Sequence, residues 1–242
     1  MASSSPFRFQ RFTVLDDQCG MKIGTDAVLL GAWANVNDCS RILDIGTGCG
    51  IIALMLAQRT EDSSANIEAI EIEREAAEQS RVNFANSPWP DRLTVHPTSL
   101  KDFATDQRKG QYDLCVCNPP YFDDSTPSTK PKTRIARHTT ELTRIHLLAS
   151  SNHLLTENGM LCIVLPMKQT DSTITLARQL GFHLHEKTLV RPLPSQDHKR
   201  TLLSFGLTKQ APQINELCIE NRRHEFSKQY ELLTHKFHLR FA

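Results

Sequence analysis

Residues 41–50, with the sequence Arg-Ile-Leu-Asp-Ile-Gly-Thr-Gly-Cys-Gly, constrain the fold of this chain more than any other segment. A short apolar run leads into closely spaced glycines, and residues 51–58 then have the composition of a helix. Glycines permit the positive φ of a sharp turn and let a ligand approach the backbone closely. The segment therefore predicts a strand–turn–helix unit that binds a nucleoside-containing cofactor. The three glycines are Gly46, Gly48 and Gly50.

Two acidic residues support this prediction. Asp44 lies near the end of the first strand, and Glu71 lies near the end of the next predicted strand, residues 67–72. A carboxylate at the second position can accept hydrogen bonds from both ribose hydroxyls. The alternative for Glu71 is a solvated carboxylate at a strand end. A nicotinamide cofactor is less favoured, because the glycine spacing is G-x-G-x-G and not G-x-G-x-x-G.

A second motif, Asn118-Pro119-Pro120-Tyr121, follows the apolar residues 114–117. The prolines remove backbone donors and fix φ, which ends the strand abruptly. The Asn118 side chain and the Pro119 carbonyl then remain free to accept hydrogen bonds from the two N–H groups of an exocyclic amino group. Tyr121 offers an aromatic face on which a base can stack. The alternative is a Pro-Pro turn without chemistry, which its position after a strand and downstream of the glycine turn makes less favoured.

Strand and helix signals alternate from residue 41 to about residue 207. This alternation predicts an α/β fold with a mostly parallel, doubly wound, Rossmann-like sheet. The last two strands have no clear helix between them and predict an antiparallel hairpin at one edge. The predicted strands are residues 42–45, 67–72, 93–96, 114–117, 160–165, 182–190 and 201–207, and the predicted helices are 51–58, 73–85, 142–155 and 170–180.

Residues 1–242 are expected to form a single domain, without internal repeats. Residues 1–40 and 208–242 are expected to pack on the same core as extensions, the first of them near the cofactor site. Residues 226–241 are a candidate terminal helix. Asn158-Gly159 is predicted to cap the C-terminal end of the predicted helix at residues 142–155. Composition fits a water-soluble chain with 39% hydrophobic and 23% charged residues, and no apolar run is long enough to span a bilayer.

The seven cysteines and ten histidines show no metal-ligand spacing, so we expect no metal site. Cys115, Cys117 and Cys162 lie in apolar runs and are expected to be reduced core residues. The formal net charge of +1 argues neither for nor against nucleic acid, but residues 130–144 carry five cations against one acid. Most such clusters are solvated faces.

The two motifs together resemble those of class I S-adenosylmethionine-dependent methyltransferases that act on amino groups. That group includes adenine-N6 enzymes of DNA or RNA, guanine-N2 enzymes of ribosomal RNA and glutamine-N5 enzymes of release factors. Further segments are similar to the bacterial family that methylates N6 of adenine 37 in tRNA(Val). These segments are residues 9–12, 19–33, 55–60, 85–93 and 162–166.

The resemblance covers nearly the whole chain and implies an enzyme with the class I methyltransferase fold. It implies S-adenosylmethionine as the cofactor, tRNA as the substrate and the cytoplasm as the location, with no membrane and no obligatory protein partner. It also places Lys22, Gly24 and Thr25 beside the methionine end of the cofactor. Thr25 is equally a candidate N-cap for a helix through residue 33, with Asp26 as an acid in its first turn.

This sequence departs from the family pattern at Ser99, where an acid is expected to hold the adenine amino group of the cofactor. Asp102 is one substitute, and backbone groups together with Leu100 are another. The resemblance makes Arg134 and Arg137 in the basic stretch candidate RNA contacts. The next candidates for the RNA surface are Arg191 and residues 198–200.

Three other functions stay open as alternatives. Protein glutamine methyltransferases typically carry an N-terminal helical domain, for which the 40 residues before the first strand leave no room. DNA adenine methyltransferases usually carry a separate target-recognition domain, for which there is no separate segment. A cofactor-binding module without catalysis would not need an intact motif at residues 118–121.

Overall fold

The computed structural model describes residues 6–119 and 142–239. The helices are α1 Thr25–Trp33, α2 Ile51–Arg59, α3 Arg74–Ala85, α4 Leu100–Phe103, α5 Arg144–Leu154, α6 Thr170–Gln179 and α7 Lys228–Thr234. The strands are β1 Phe7–Arg8, β2 Thr13–Val14, β3 Arg41–Ile45, β4 Asn66–Glu71, β5 Leu93–Pro97, β6 Tyr112–Cys117, β7 Leu155–Pro166, β8 His183–Arg191, β9 Arg200–Gly206, β10 Gln213–Cys218, β11 Glu220–Arg222 and β12 Glu225–Phe226.

Eight strands form one sheet in the order β10-β8-β9-β7-β6-β3-β4-β5. Within this sheet, β9 alone runs antiparallel to its neighbours, and every other pairing is parallel. The mostly parallel sheet and the antiparallel β8–β9 hairpin confirm the predicted fold class. Because parallel strands end at the same edge, the turns after β3, β4 and β6 lie side by side.

Alternating residues of each central strand pack on opposite faces of the sheet, which makes two apolar clusters. In β3, Ile42 belongs to one cluster, with the side chains of α1 and α2, and Leu43 belongs to the other. Both are fully buried, as expected for a strand covered on both faces. The cysteines predicted to be core residues, Cys115, Cys117 and Cys162, are buried and free.

The C-terminal extension joins the main body through both a strand and polar contacts. β10 pairs in parallel with β8 and forms the sheet edge outside the predicted hairpin. The Gln10 side chain donates to the carbonyls of His235 and His238, at 2.6 and 2.7 Å, and the Gln58 side chain donates to the Lys236 carbonyl at 2.8 Å. The two ends of the described chain therefore meet on one face of the sheet.

Three local predictions differ from the structure: the cap at Asn158-Gly159, the N-cap at Thr25 and the length of the terminal helix. Asn158-Gly159 does not cap a helix, because α5 ends at Leu154 and both residues lie inside β7. A Cβ on Gly159 would lie 2.8 Å from the Tyr112 carbonyl oxygen, so close strand packing explains this glycine. Thr25 is the first residue of α1 and its N-cap is Gly24, whereas Asp26 does lie in the first turn.

The predicted terminal helix at residues 226–241 is shorter than expected. It forms α7, which begins after Ser227, where the serine side chain accepts a hydrogen bond from the Tyr230 backbone at 3.1 Å. Along the two described stretches of the chain, no helix is long and apolar enough to cross a membrane.

Candidate active site

The glycine turn after β3 is hydrogen-bonded to the neighbouring strand β4, and the space beside Gly46 and Gly48 is open. The backbone N–H groups of Gly46 and Thr47 both donate to the Ile70 carbonyl, at 2.9 and 3.0 Å. Gly46 and Gly48 have φ values of +70° and +56°, and no atom lies within 4 Å of a Cβ built at either position. A side chain at these positions would therefore occupy open space above the turn, which is space that a ligand can use.

Glu71, at the end of β4, closes one side of this turn. Its carboxylate accepts hydrogen bonds from the backbone N–H of Gly48 at 2.9 Å and of Glu73 at 3.0 Å. The side chain is largely buried, because only 9% of the residue is exposed. The carboxylate thus faces the glycine turn, and each of its oxygens keeps further capacity to accept hydrogen bonds.

Asp44 lies beneath the turn and is completely buried. One carboxyl oxygen accepts from the Thr47 hydroxyl at 2.6 Å and from the Ala53 backbone at 3.2 Å. Its other oxygen, Oδ1, has no partner among the described residues. Burial raises the pKa of Asp44 to about 7, against the lowering effect of the two hydrogen bonds. Asp44 therefore holds the turn onto α2 and does not line its open side.

Gly50 has a packing role toward α3. A Cβ at this position would lie 2.5 Å from the Phe84 ring, and the φ of +85° is unfavourable for other residues. On the same helix, the Asn83 amide donates to the carbonyls of Cys49 and Leu15, both at 2.8 Å, and accepts from the Leu15 backbone at 3.0 Å. Asn83 therefore joins the glycine turn to the segment that leads into α1.

Asn118 and Pro119 follow β6 directly beside the glycine turn. Ile45 of β3 pairs with Cys117 of β6, so the residues after these two positions leave neighbouring strands at the same edge. Asn118 is partly exposed and Pro119 is buried. No side-chain hydrogen bond within the described part of the chain engages the Asn118 amide. The predicted glycine turn and the predicted amino-group motif are therefore neighbours.

Asn118 and Pro119 line a recess of about 580 Å³ that extends away from the glycine turn. Lys22 and Gly24, from the segment before α1, and Thr25, the first residue of α1, line the same recess. The Lys22 ammonium donates to the Asp16 carbonyl at 2.6 Å and lies 3.5 Å from its carboxylate. The structure thus places the three N-terminal candidates beside Asn118 in the recess.

Ser99 has a clear local role after β5. Its hydroxyl accepts from the Asp102 backbone at 3.1 Å, which caps α4, and donates to the Asp102 carboxylate at 2.6 Å. Asp102 thus places a carboxylate within one helical turn of Ser99. Pro120, Tyr121, Arg134 and Arg137 lie outside the described residues.

The sequence indicated residues 198–200 as a candidate RNA surface, but it did not indicate that Lys199 and Arg200 lie in the far wall of this recess. Val190, Pro192, Lys199, Arg200 and Ile219 line it, and they come from the ends of β8 and β10 and the start of β9. Arg200 binds Asp26 of α1 through a 2.7 Å ion pair, which joins this wall to the N-terminal segment. The signal in the sequence is the cluster of cations at residues 198–200, which is a second candidate for the RNA surface.

The fold and the arrangement of the residues that follow β3, β4 and β6 define the class of protein. The family description Methyltransferase small domain matches residues 20–187. A predicted O-methyltransferase from Agrobacterium tumefaciens has a similar structure, with a TM-score of 0.66 and 19% identity over 88% of this chain and 96% of that one. The P. horikoshii protein TYW2, solved in complex with MeSAdo, gives a TM-score of 0.58 at 10% identity over 86% of this chain and 73% of that one. These two likenesses concern the fold. The chain is a member of the methyltransferase small domain class.

Curated relatives define the family more narrowly. The tRNA1(Val) (adenine(37)-N6)-methyltransferase of Parabacteroides distasonis is 43% identical over 97% of this chain and 98% of its own length. The protein of the same name from Flavobacterium psychrophilum is 41% identical over 97% and 99%, and that from Citrobacter koseri is 42% identical over 96% and 94%. The chain belongs to the family of tRNA1(Val) (adenine(37)-N6)-methyltransferases.

Proposed function

We propose that this protein transfers a methyl group from S-adenosylmethionine to the exocyclic N6 of an adenine in tRNA, namely adenine 37 of tRNA(Val). The observation that carries the proposal is the position of Asn118 and Pro119 beside the glycine turn, at the ends of paired strands. A methyl donor held by the turn and an amino group held by Asn118 would then be neighbours. Membership of the family supports the same substrate.

The glycine turn is the proposed cofactor site. S-adenosylmethionine, when bound, supplies an electrophilic methyl group on its sulfonium. The open space above Gly46 and Gly48 fits a ligand that lies against the backbone, and the Glu71 carboxylate beside it can accept hydrogen bonds from ribose hydroxyls. Asp44 and Gly50 would contribute by holding the turn against α2 and α3.

The two ends of the cofactor are assigned to different segments. Lys22, Gly24 and Thr25 are proposed for the methionine end, since they lie beside Asn118 in the recess. Ser99 and Asp102 are proposed for the adenine end, because they follow β5, the strand next to Glu71. The exposed Asp102 carboxylate is the group that can accept a hydrogen bond from an adenine amino group there.

Asn118 and Pro119 are proposed to orient the target amino group. The side-chain carbonyl of Asn118 and the backbone carbonyl of Pro119 would each accept a hydrogen bond from one N–H of the amino group. These two hydrogen bonds would aim the nitrogen lone pair at the methyl group. Orientation of this kind lowers the barrier without prior removal of a proton. The sequence places Pro120 and Tyr121 next in the same motif, so we keep the prediction that Tyr121 stacks on the extruded base.

Nucleoside analysis tests this function directly. Purified protein, tRNA(Val) transcript and S-adenosylmethionine with a labelled methyl group are incubated together, and the tRNA is then digested and analysed by mass spectrometry. We expect labelled N6-methyladenosine, and its loss when adenine 37 of the transcript is replaced by guanine. Parallel incubations replace the tRNA by ribosomal RNA, a DNA duplex or a glutamine peptide, and label in one of these without label in tRNA would instead assign that substrate.

The same proposal covers the organisation and location of the chain. We infer that residues 1–242 form one domain, because β10 extends the sheet and Gln10 and Gln58 bind carbonyls near the C-terminus. A tRNA substrate favours a cytoplasmic location. We propose tRNA as the partner of this site and keep the expectation that no obligatory protein partner is needed.

A further inference from the structure

The recess beside Asn118 continues well beyond the groups that the proposed reaction needs. It has a volume of about 580 Å³, within the roughly 300–1,000 Å³ of pockets that hold small molecules. Leu29, Val190 and Ile219 give it an apolar lining, and the first two are almost fully buried. Such a lining can pack against the sugar and the edge of a base. The charged side chains at the opening of the recess then determine which charged group can enter with them.

Four charged side chains line the recess, and the structure neutralises two of them in one pair. Asp26 and Arg200 form the 2.7 Å ion pair. Lys22 is held against the Asp16 carbonyl and carboxylate. Lys199 is exposed, and its ammonium has no partner within the described residues. Among the described charged residues of the recess, Lys199 is therefore the one whose charge is not compensated.

The backbone of Lys199 is fixed although its side chain is exposed. Its N–H donates to the Val190 carbonyl at 2.8 Å, and its carbonyl accepts from the Met167 backbone at 3.1 Å and from the Arg200 guanidinium at 3.1 Å. The stem of Lys199 therefore starts from a rigid point where β8 ends and β9 begins. A cation placed in this way can contact a phosphate at a defined distance from the recess.

Nearby cations are not equivalent to Lys199. Arg191 binds the Glu216 carboxylate at 3.1 Å, and His198 lies 3.7 Å from the same carboxylate. Of Arg191, Lys199 and Arg200, the described part of the structure thus leaves Lys199 for an external anion.

We propose that the part of this recess along its far wall takes up the ribose of the target nucleotide and that Lys199 binds a phosphate next to it. The 190–200 segment is then the part of the RNA surface closest to the site. This inference rests on the proposed function and names how its substrate is held. The Asp26–Arg200 pair has a positioning role, because it keeps the far wall of the recess at a fixed distance from α1.

The test compares two exposed lysines that flank opposite ends of β9. Lys199→Ala, Lys199→Glu and Lys199→Arg are set against Lys209→Ala and Lys209→Glu, since Lys209 follows the other end of β9 and is also exposed. For each variant, tRNA(Val) affinity is measured against salt concentration, together with kcat, KM for tRNA and the Kd of S-adenosylmethionine.

We expect Lys199→Ala to raise KM and Kd for tRNA about three- to tenfold, the effect of losing one ordinary hydrogen bond at a solvent-exposed site. Lys199→Glu should raise them further, and Lys199→Arg should keep near wild-type values. The slope of log K against log salt should become shallower by about 0.7 to 0.9. The Kd of S-adenosylmethionine and kcat at saturating tRNA should stay unchanged, and the Lys209 variants should match the wild type.

Equal tRNA affinities and salt slopes for the Lys199 and Lys209 variants would overturn the inference. So would a weaker Kd for S-adenosylmethionine with unchanged tRNA binding, since the far wall of the recess would then serve the cofactor. Labelled N6-methyladenosine from the wild-type protein decides the proposed function independently of these variants. With an active wild type and an unaffected Lys199→Glu variant, the function stands and only the role of Lys199 fails.

Discussion

The carboxylate of Glu71 accepts a hydrogen bond from the backbone N–H of Gly48, at 2.9 Å, so the end of β4 holds the glycine turn after β3. Glu71 therefore has two proposed tasks, to order this turn and to bind the ribose. We predict that Glu71→Ala weakens S-adenosylmethionine binding by about 1–3 kcal/mol, the cost of losing a hydrogen bond to a charged group. Isothermal titration calorimetry measures this directly.

Glu73→Ala is the matched control, because Glu73 is an exposed glutamate two residues further along, and its side chain makes no cap hydrogen bond with α3. Its affinity for the cofactor should equal that of the wild type. An unchanged affinity in a folded Glu71→Ala variant would remove Glu71 from the cofactor site.

Asn118→Ala separates orientation of the amino group from binding of the cofactor. Asn118 lies at the end of β6, and its amide is not engaged by other described side chains. We predict that kcat with tRNA falls by about 100-fold or more, whereas the Kd of S-adenosylmethionine stays within about twofold, since a twofold change is below about 0.5 kcal/mol. Single-turnover kinetics with labelled cofactor measures the first quantity. Wild-type kcat in the folded variant would contradict the orientation mechanism.

Much of the fold was predictable because the central strands are apolar on both faces and follow one another with helices between them. β3, β4 and β6 lie within one or two residues of their predicted bounds. β10 was missed, because its sequence is polar and four of its six residues are exposed. It is a strand because the parallel partner β8 offers a free edge, which is tertiary information that local composition does not carry.

The candidate site was predictable in part for the same reason. The residues after β3, β4 and β6 are adjacent because of sheet order, and that order follows from the doubly wound pattern. The far wall of the recess was not predictable, because Lys199 and Ile219 are far beyond Asn118 in the sequence. Only the return of β9 between β7 and β8 brings the two regions together.

Glu68 makes the stability of the protein dependent on pH in the acid range. Burial alone would raise the pKa of this carboxyl, but hydrogen bonds from Tyr112, Arg108 and Arg41 outweigh it and lower the pKa from 4.5 to about 2. Because the folded-state pKa is the lower one, the stabilisation is complete above pH 4.5 and is lost as the pH falls toward 2. We expect a contribution of about 2 kcal/mol, after allowance for solvent screening of the partly exposed Arg41.

Glu68→Gln isolates this contribution, because glutamine fills the same space and does not titrate. The free energy of unfolding from urea titrations should fall more steeply for the wild type than for Glu68→Gln between pH 4.5 and 2. At neutral pH the variant should already be less stable. Parallel curves for the two proteins would show that the ionised carboxylate contributes nothing to stability in this window.

The basic stretch at residues 130–144 gives a prediction from sequence alone. Arg134 and Arg137 follow the amino-group motif along the chain, so we expect them to border the entrance to the base pocket. Reversing both charges, with Arg134→Glu and Arg137→Glu, should raise KM for tRNA and reduce its salt slope by about one unit for each phosphate that the variant no longer binds. The Kd of S-adenosylmethionine should not change. Identical salt slopes for the wild type and the double variant would make this stretch a solvated face.

Asn83 connects cofactor binding to the order of the N-terminal segment. Its buried amide makes three hydrogen bonds, two to the backbone of Leu15 and one to the carbonyl of Cys49 in the glycine turn. Asn83→Ala leaves these backbone groups without partners, which should lower the free energy of unfolding by about 1–3 kcal/mol. It should also weaken S-adenosylmethionine binding, because the segment after Leu15 carries Lys22 and Gly24 to the site.

Asn86→Ala provides the control on the same helix end, because the Asn86 amide donates only to the Val82 carbonyl and is exposed. Calorimetry at a temperature where both variants are folded separates the two effects. Amide hydrogen exchange at Leu15 should become faster in Asn83→Ala and stay unchanged in Asn86→Ala, since the Asn83 side chain accepts a hydrogen bond from the Leu15 N–H at 3.0 Å. A lower melting temperature together with wild-type cofactor affinity would limit Asn83 to a structural role. Weaker affinity together with faster exchange at Leu15 would identify it as the residue that positions the N-terminal segment over the turn.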